Sequence, residues 1–354
     1  MKYSGLHEKY GGFRRPTFSL KVNGQELNVG DGAKVESLEC RLTTRRQAGS
    51  IFLLAELTPG KELADTWLSA IQLGAVCTLA LGYQEKEEDV FSGFVYDVIW
   101  DDPLDTGIQQ VEMICLDVRG QLMLSALSDA GAARSLSQLV KAVLKQSPCT
   151  RMASNVSIGK IPSDWDLPFQ RTGPTDFEIL CAAADFLCYE FYAFANTVYF
   201  GPARDSSEVA VEFDAANGLM RLRHRKTLAA QCAAVAVSGT DDNGQRLYAR
   251  EARSTDQGYG IGQIKAALGQ DVHRAEPAIR TMAQANYLAQ ARMQMRQHQA
   301  GLLIGQGTGI PELRPGRFVK ASGLSDQVNG SYYIVDVIHT IDETGFETYF
   351  EAEE

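Results

Sequence analysis

The 354-residue sequence lacks a hydrophobic run long enough to cross a membrane as a helix, which takes ~20 apolar residues. Residues 1–12 also lack the apolar segment that a signal peptide requires. These two absences predict a protein that is made and folded in the cytoplasm and has no membrane contact.

The sequence has no Cys-x-x-Cys motif, although it contains seven cysteines. They are odd in number and widely spaced, and most lie within apolar strand or helix patterns. The seven are Cys40, Cys77, Cys115, Cys149, Cys181, Cys188 and Cys232. This distribution predicts buried free thiols in a reducing compartment and favours neither a disulfide framework nor a zinc site.

Basic residues are scarce: 34 lysines and arginines face 44 aspartates and glutamates, which gives a net charge of −10. A protein that clamps nucleic acid needs a basic face, so the charge speaks against that function. The basic clusters at Arg14-Arg15, Arg45-Arg46 and 221–226 are short. We interpret them as strand ends or subunit contacts, and we expect no specific binding of DNA or RNA.

Motifs for catalysis and for cofactors are absent as well. There is no Gly-x-Ser-x-Gly, no His-Glu-x-x-His and no Gly-Lys-Ser/Thr, and no two of the five histidines (His7, His224, His273, His298 and His339) lie within local reach of each other. The Gly-rich segments 258–262 and 305–309 lack Rossmann spacing, which favours flexible loops over phosphate binding. We therefore predict no catalytic, cofactor-binding or metal-binding residues and no cofactor.

One histidine and several acidic pairs are the residues that could still argue for a site. His339 shares a strand face with apolar residues, so we interpret it as a packed or hydrogen-bonded histidine. The acidic pairs Asp101-Asp102 and Asp241-Asp242, and the acids at 87–89, lie in loop-like contexts. A glycosidase needs two carboxylates across a cleft, and solvated turn acids are the better interpretation.

Residues 17–124 contain a series of short strand patterns. The strand-like segments are Phe18–Val22, Val35–Leu42, Ser50–Leu57, Ala75–Leu81, Val90–Trp100 and Gln110–Val118. Glu62–Ile71 is the one helical stretch among them. This spacing predicts an all-β barrel or sandwich. Residues 1–16 are polar and Gly-rich, and we expect them to form an N-terminal arm.

Helical signals begin after Leu124. Ser135-Leu-Ser-Gln138 is a capping box before an amphipathic pattern, and Thr175-Asp-Phe-Glu178 begins a second helix. That helix leads into an aromatic hairpin at 189–200, which we interpret as core packing or a subunit contact, because it lacks the interleaved basic residues of a base-stacking platform. Residues 125–206 therefore predict an inserted α/β domain.

Strand patterns return in residues 207–239 and are completed by residues 311–354, so a second β unit is interrupted by residues 240–310. The interrupting segment combines a polar, Gly-rich stretch, Thr240–Gly262, with a long helix from Pro277 to His298 and a loop over 301–312. The helix is rich in Ala, Met and Gln on several faces, which predicts burial against a neighbouring domain or a protein partner.

The last forty residues predict an antiparallel meander with turns at Asn329-Gly330 and 342–345. The side chains expected to face the core together are Tyr333, Val335, Val337, His339 and Ile341, and on the last strand Phe346, Thr348 and Phe350 alternate with exposed residues. Val337→Asp should therefore abolish soluble folding. Glu353 and Glu354 follow the last alternation, so their deletion should have little effect.

Several segments together resemble the phage late-control D proteins, which are tail baseplate hubs related to the N-terminal part of the type VI secretion spike protein, VgrG. The segments that carry this resemblance are Val90-Phe-Ser-Gly-Phe-Val95, Cys115-Leu-Asp-Val-Arg-Gly-Gln-Leu122, Thr175-Asp-Phe-Glu178 leading to Phe186–Tyr192, the helix at 277–298, Pro311-x-Leu-x-Pro-Gly316, Asn329–Val335 and Thr344-Gly-Phe-Glu-Thr348. The resemblance extends from Thr17 to Glu351. One departure is Cys188, which occupies a position where the family usually has glycine.

The resemblance implies a mainly β protein with α/β insertions. Two similar antiparallel, tube-like β-barrels would comprise residues 17–124 and residues 207–239 plus 311–354, with inserted domains at 125–206 and 240–310. It also implies a non-enzymatic homotrimer, in which six quasi-equivalent units connect a hexameric tail tube to a trimeric spike. Expected partners are the tube or tube-initiator protein, a spike on a separate polypeptide and the baseplate wedge proteins, with the tape-measure protein as a further candidate. The assembly would be the baseplate of a phage tail or phage-like particle, made in the bacterial cytoplasm.

Two functions from other classes remain open from the sequence alone. One is a tail enzyme that degrades peptidoglycan through acids held in loops. The other is a soluble carbohydrate- or ligand-binding β protein that shares only the barrels. Zymography would identify the first, and a stable monomer with a ligand pocket would indicate the second.

Overall fold

The structure is a computed structural model. It describes residues 1–84, 86–102, 107–125, 133, 135–145, 147–162, 175–214, 220–229, 231–253 and 271–354. Its strands are β1 Pro16–Val22, β2 Gln25–Glu26, β3 Ala33–Thr43, β4 Ser50–Leu57, β5 Val76–Tyr83, β6 Lys86–Asp101, β7 Gln109–Asp117, β8 Asn155–Ile158, β9 Tyr189–Phe194, β10 Thr197–Pro202, β11 Val209–Asp214, β12 Met220–Lys226, β13 Ala234–Thr240, β14 Arg246–Ala252, β15 Val272–Ala275, β16 Gly301–Thr308, β17 Phe318–Ser322, β18 Gly330–Asp342 and β19 Gly345–Glu353. The helices are α1 Tyr3–Lys9, α2 Glu62–Ala70, α3 Val118–Leu124, α4 Leu136–Leu144, α5 Ser147–Met152, α6 Asp176–Leu187 and α7 Met282–His298.

One 13-stranded sheet contains most of the strands. Its strands follow the order β12-β16-β19-β18-β3-β4-β7-β6-β5-β1-β2, with β17 beside β18 and β11 beside β17. Alternation explains its buried face: in β4 the side chains of Ile51, Leu53, Ala55 and Leu57 are all buried. The strands predicted within 17–124 and 311–354 thus belong to one continuous sheet, which crosses from one region to the other at β3 and β18.

Strand β13 lies outside this sheet, contrary to the grouping of residues 207–239 as one β unit. It pairs with β14 and β15 in a separate three-stranded sheet, on which α7 packs. Strand β14 lies within Thr240–Gly262, for which the sequence predicts only a polar, Gly-rich stretch, while residues 258–262 lie outside the described residues. Because β13 is a short run of apolar residues that would suit any buried strand, its partner could not be inferred from its own sequence.

A second core joins the two inserted regions. Apolar residues of α4, α6, β9 and β10 pack in one cluster with those of β13, β14 and α7. Both predicted helix starts are confirmed, since Ser135 Oγ accepts the Gln138 N–H and Thr175 Oγ1 accepts the Glu178 N–H. The aromatic hairpin β9–β10 contributes Phe191 to this core, as its interpretation as core packing required.

Segment 301–312 is largely a strand, so its interpretation as a loop is wrong. Strand β16 lies between β12 and β19, and its glycines meet aromatic rings of β19. A Cβ on Gly305 would come within 2.1 Å of the Phe350 ring, and one after the strand on Gly309 within 2.2 Å of the Phe346 ring. These glycines therefore allow close packing of rings on backbone, and loop flexibility is not their role.

The N-terminal residues do not form the expected polar arm. Helix α1 places Tyr3 and Leu6 in the main core, and Tyr10 follows one turn later. The N-terminal ammonium of Met1 donates to the carbonyls of Val209 and Ala210 on β11. The apolar residues recur at helical spacing within a polar, Gly-rich context, and that context led to the wrong prediction.

Helix α7 begins five residues later than predicted, at Met282. A capping box fixes this start, because Thr281 Oγ1 accepts the Gln284 N–H and the Gln284 side chain accepts the Thr281 N–H. The turn after Pro277 precedes this cap and lies outside the helix.

The closing meander has the predicted turns, but a bulge in β18 changes which residues face the core. The register shifts between Ile334 and Asp336, so the alternation moves by one residue at Val335. Tyr332 and Ile334 are in the main core before the bulge, and Val337 is in it afterwards. The predicted face is therefore correct for Val337, His339, Ile341 and the last strand. Tyr333 and Val335 are buried as well, but they lie outside the main core, so the predicted face is wrong for these two.

The two terminal glutamates are part of the structure, which contradicts the reason for expecting their deletion to be harmless. Glu353 is paired in β19 with Leu302, and the Arg204 guanidinium donates to the carbonyls of Glu353 and Glu354. The Glu354 carboxylate also lies 3.1 Å from His224 Nε2. Deletion would remove these contacts at the end of the sheet.

Candidate assembly surface

The crossing between β3 and β18 is a seam built from polar and apolar contacts. The strands pair antiparallel from Asp336 opposite Thr43 to Asp342 opposite Ser37. On one face Arg41 Nη2 lies 2.9 Å from the carboxylate of Asp336, which is almost fully buried. On the other face Val337 and Leu42 enter the core. The seam thus combines a charge pair with apolar packing.

The sheet contains the same unit twice. The first follows the order β5-β6-β7-β4-β3, and the second follows β17-β18-β19-β16-β12. The long strands β6 and β18 each carry a bulge, between Val95 and Asp97 and between Ile334 and Asp336. The tripeptide Asp-Val-Ile follows both bulges, at 97–99 and 336–338.

The sequence contained this signal as Val95-Tyr-Asp-Val-Ile-Trp100 against Ile334-Val-Asp-Val-Ile-His339. A comparison of the chain with itself would have located it. The short match acquires meaning only with the bulge and the strand order, because these place the two segments at the same position of two units.

Each unit leaves one strand edge without a partner in the described part of the chain. In the second unit, β12 pairs only with β16 and is an edge strand. In the first unit, β5 and the residues just before it bond to β6 only up to Val95, so one side of residues 96–101 is open. The corresponding side of β18 is covered by β3.

The two open edges carry opposite charges and exposed apolar groups. Arg221, Arg223 and Arg225 form an exposed row on β12 and have no ion-pair partner among the described residues. Strand β6 exposes Asp97 and Asp101. Its exposed apolar side chains are Tyr96, Ile99 and Trp100, at 46%, 51% and 41%. Because apolar exposure concentrated on an open edge is unusual, this edge is a candidate interaction surface.

A buried ion pair fixes the loops beside the seam. The guanidinium of Arg119 is fully buried and lies 2.7 Å from the carboxylate of Asp117 at the end of β7. It also donates to the carbonyls of Thr43 and Arg45 after β3, at 3.0 and 3.2 Å. Asp117 in turn accepts the Gly49 N–H at 2.7 Å. The pair therefore ties the β3–β4 connection to β7.

A cleft of about 900 Å³ lies between the sheet, the aromatic hairpin and α7. Its lining includes Glu190, Arg204, Tyr333 and His298. The Tyr333 hydroxyl donates to the Glu190 carboxylate. Desolvation raises the pKa of Glu190 to about 7, and burial lowers the pKa of His298 to about 4. The cleft thus contains two groups whose pKa values shift in opposite directions.

The raised pKa of Glu190 predicts how the free energy of unfolding depends on pH. Because the pKa of Glu190 is higher in the folded state, the free energy of unfolding is highest below about pH 4.5, where the carboxyl is protonated in both states. It should decline by up to about 1.4 kcal/mol per pH unit as the pH rises, and the contribution is lost above the folded pKa of about 7. Glu190→Gln should remove this decline, so the variant should gain stability relative to wild type between pH 5 and pH 7.5. Urea unfolding across that range measures the difference. Glu347→Gln, an exposed change on β19, is the control that should show no such trend.

The residues singled out as candidates from the sequence are not brought together. His339 is fully buried, with Nδ1 2.8 Å from Thr348 Oγ1 and Nε2 3.2 Å from the Leu313 carbonyl, which confirms it as a packed, hydrogen-bonded histidine. Burial lowers its pKa to about 4. Asp241 accepts N–H groups within its own turn. Within the described residues no cluster of three or more His, Cys, Asp or Glu could hold a metal ion.

The cysteines are free, as expected. Six of the seven are buried, and Cys188 is partly exposed. Cys188 ends α6 in the left-handed conformation, with φ of 57°, which is the conformation that glycine adopts most easily. Cysteine thus adopts this left-handed conformation at the position where the resemblance noted from the sequence leads one to expect glycine. No helix in the described residues is both long and apolar enough to cross a membrane.

Solved structures share this fold over almost the whole chain. A 43 kDa tail protein of prophage MuSo2 from Shewanella oneidensis matches with a TM-score of 0.65 and 14% identity, over 95% of this chain and 98% of the other. A tail protein from Neisseria meningitidis matches with a TM-score of 0.67 and 13% identity, over 96% and 97%. The chain has the fold of phage tail proteins.

A third match connects this fold to type VI secretion. It is an Escherichia coli component of that system with structural similarity to the phage T4 tail proteins gp27 and gp5, with a TM-score of 0.58 and 11% identity over 94% of this chain and 76% of the other. No protein-family model and no curated protein matches the chain. The resemblance to hub and VgrG-like proteins is thus confirmed at the level of the fold, as is the mainly β class with large antiparallel sheets.

Proposed function

We propose that this protein is a structural baseplate hub of a contractile phage tail or a related injection machine. In this function it forms a homotrimer that connects a hexameric tail tube to a separate trimeric spike. The observation that carries the proposal is the duplicated strand unit on one continuous sheet. Three chains with two units each supply six similar units around an axis that has only threefold chemical symmetry.

The open edges support a ring. The internal seam joins an edge strand of the first unit to the long strand of the second, which is a head-to-tail contact. Among the described pairings of the two units, β12 then lacks a partner on one side, and so does the end of the long strand β6. Head-to-tail contacts between identical chains generate either a closed ring or an open helix, and a closed ring of three chains satisfies both edges of every copy.

The partners follow from this position. The ring would contact the tube protein on one face and the spike on the other, with wedge proteins outside and the tape-measure protein as a candidate in the lumen. The net charge of −10 suits a channel through which DNA passes, because like charges repel phosphate. We assign no catalysis to the protein, in line with the tail proteins that share its fold.

Light scattering coupled to size-exclusion chromatography tests the proposal. The 38.8 kDa chain should assemble to three times its mass, alone or with its spike protein. Electron microscopy of that species should show a ring with six similar lobes. A strict monomer at high concentration and with spike present would contradict the hub function, and lytic activity in a peptidoglycan zymogram would favour an enzyme.

A further inference from the structure

We propose that β12 of one copy pairs antiparallel with residues 96–102 of a second copy, in the same register that β3 and β18 use within one chain. The proposal rests on the hub function but goes further, because it specifies the strands, the register and the charge pairs between copies. The occupant of the open β6 edge is therefore a second copy of this chain.

The two units are equivalent residue by residue, which defines the register. Val95 of β6 lies opposite Cys115, as Ile334 of β18 lies opposite Ala352. The next residue paired after each bulge is an aspartate, at 97 and at 336. Residues 97–101 of β6 therefore correspond to residues 336–340 of β18, and Asp102, just after β6, corresponds to Ile341.

The edge strands β3 and β12 can be aligned in the same way, by following the strand pairs outward from each bulge. In the first unit Arg41 of β3 lies opposite Ser50, which lies opposite Leu116 of β7. In the second unit Arg225 of β12 lies opposite Leu302, which lies opposite Glu353 of β19. Leu116 and Glu353 each follow the residue that faces the bulge, so they are equivalent. Arg225 therefore occupies the position of Arg41.

The internal seam then gives the pairs between copies. Ile338 lies opposite Arg41 within the chain, so Ile99 of one copy should lie opposite Arg225 of the next. Thr340 lies opposite Glu39, so Asp101 should lie opposite Arg223. All four of these residues are exposed in the single chain.

The charges agree with this register. Within the chain, Arg41 reaches diagonally along one face of the sheet to Asp336, at 2.9 Å. The equivalent contact between copies joins Arg225 to Asp97, and Asp101 faces Arg223 directly. The arginines on β12 and the aspartates on β6 lack ion-pair partners in the described chain, and opposite charges on facing strands stabilise pairing. The same pairing covers the exposed Ile99 and closes both open edges.

Disulfide cross-linking tests the register in the full-length chain. The double variant Ile99→Cys/Arg225→Cys places two thiols directly opposite each other across the proposed seam, within the Cα separation that a disulfide spans. Mild oxidation should yield covalent dimers and trimers that disappear on reduction. The control Ile99→Cys/Arg221→Cys keeps the strand and the exposed face but shifts one thiol by four residues, roughly 14 Å, and should remain uncross-linked.

Charge reversal tests the same seam without oxidation. Asp97→Arg should raise the protein concentration needed for half of the chains to form trimers at least tenfold. The effect should be larger at low salt. Arg225→Asp in the same chain should restore assembly, because the pair is re-formed with the charges exchanged. Asp326→Arg, an exposed change in the turn between β17 and β18, is a matched charge change that should leave assembly unaltered.

The outcomes separate this proposal from the hub function. A trimer by light scattering with cross-linking confined to the aligned cysteine pair supports both. A trimer in which neither pair cross-links, or in which the shifted pair cross-links equally, overturns the seam and leaves the hub function intact. A monomer under all conditions overturns both. Cross-linking of the β6 cysteine to tube or spike protein instead would show that another partner occupies this edge.

Discussion

Arg119→Met should lower the free energy of unfolding by about 3–5 kcal/mol. The substitution keeps an apolar stem of similar length but leaves the carboxylate of Asp117 without its charge partner in a buried site, and breaking a buried pair on one side costs about this much. The carbonyls of Thr43 and Arg45 would lose their donor as well. Urea unfolding monitored by circular dichroism measures the change.

An exposed ion pair with similar geometry provides the control. Arg250 bonds Asp271 through Nε and Nη2, and both side chains are substantially exposed to solvent. Arg250→Met should cost less than about 1 kcal/mol, as exposed pairs generally do. Equal losses for the two substitutions would mean that Arg119 is not buried with its partner as described.

Arg119 also illustrates what could not be inferred from the sequence. The segment Cys115–Leu122 was recognised as a family-like strand end, yet nothing local distinguishes Arg119 from a solvated arginine. Its burial depends on the carbonyls of Thr43, Arg45 and Phe191, which are far from it in sequence. Local patterns predict elements, and they do not predict which distant carbonyls converge on one side chain.

The elements themselves followed from local physics. Ser50–Leu57 is predicted with its observed bounds, because a short run of apolar residues of this length is typical of a buried strand. The helix at Glu62–Ala70 and the caps at Ser135 and Thr175 were predicted for similar reasons. Each of these features is determined by residues within one or two turns of itself.

The wrong predictions share a dependence on distant contacts. Gly305 resembles a loop glycine until Phe350 is placed against it, and β13 resembles a member of the main sheet until β14 and β15 are known. The bulge at Val335 shifts the alternation where β17, β3 and β19 all meet β18. The candidate assembly surface depends on the same information, because an edge is open only with respect to a complete strand order.

The other large expected effect is the loss of soluble folding in Val337→Asp. Val337 is fully buried after the bulge, between Leu42 of β3 and Phe350 of β19. An unpaired carboxylate there costs several kcal/mol, which is a large share of the roughly 5–15 kcal/mol that stabilises a typical folded protein. The variant should therefore accumulate in the insoluble fraction on expression.

Two further substitutions make this result specific to the strand register. Val337→Thr keeps the shape but buries a hydroxyl, so it should fold and lose about 1–3 kcal/mol in urea unfolding. Ile338→Asp places the same charge one residue later, on the opposite face and across from Arg41, and should remain soluble. Because the bulge determines which of these neighbours faces the core, a soluble Val337→Asp together with an insoluble Ile338→Asp would place the register one residue away from the one described.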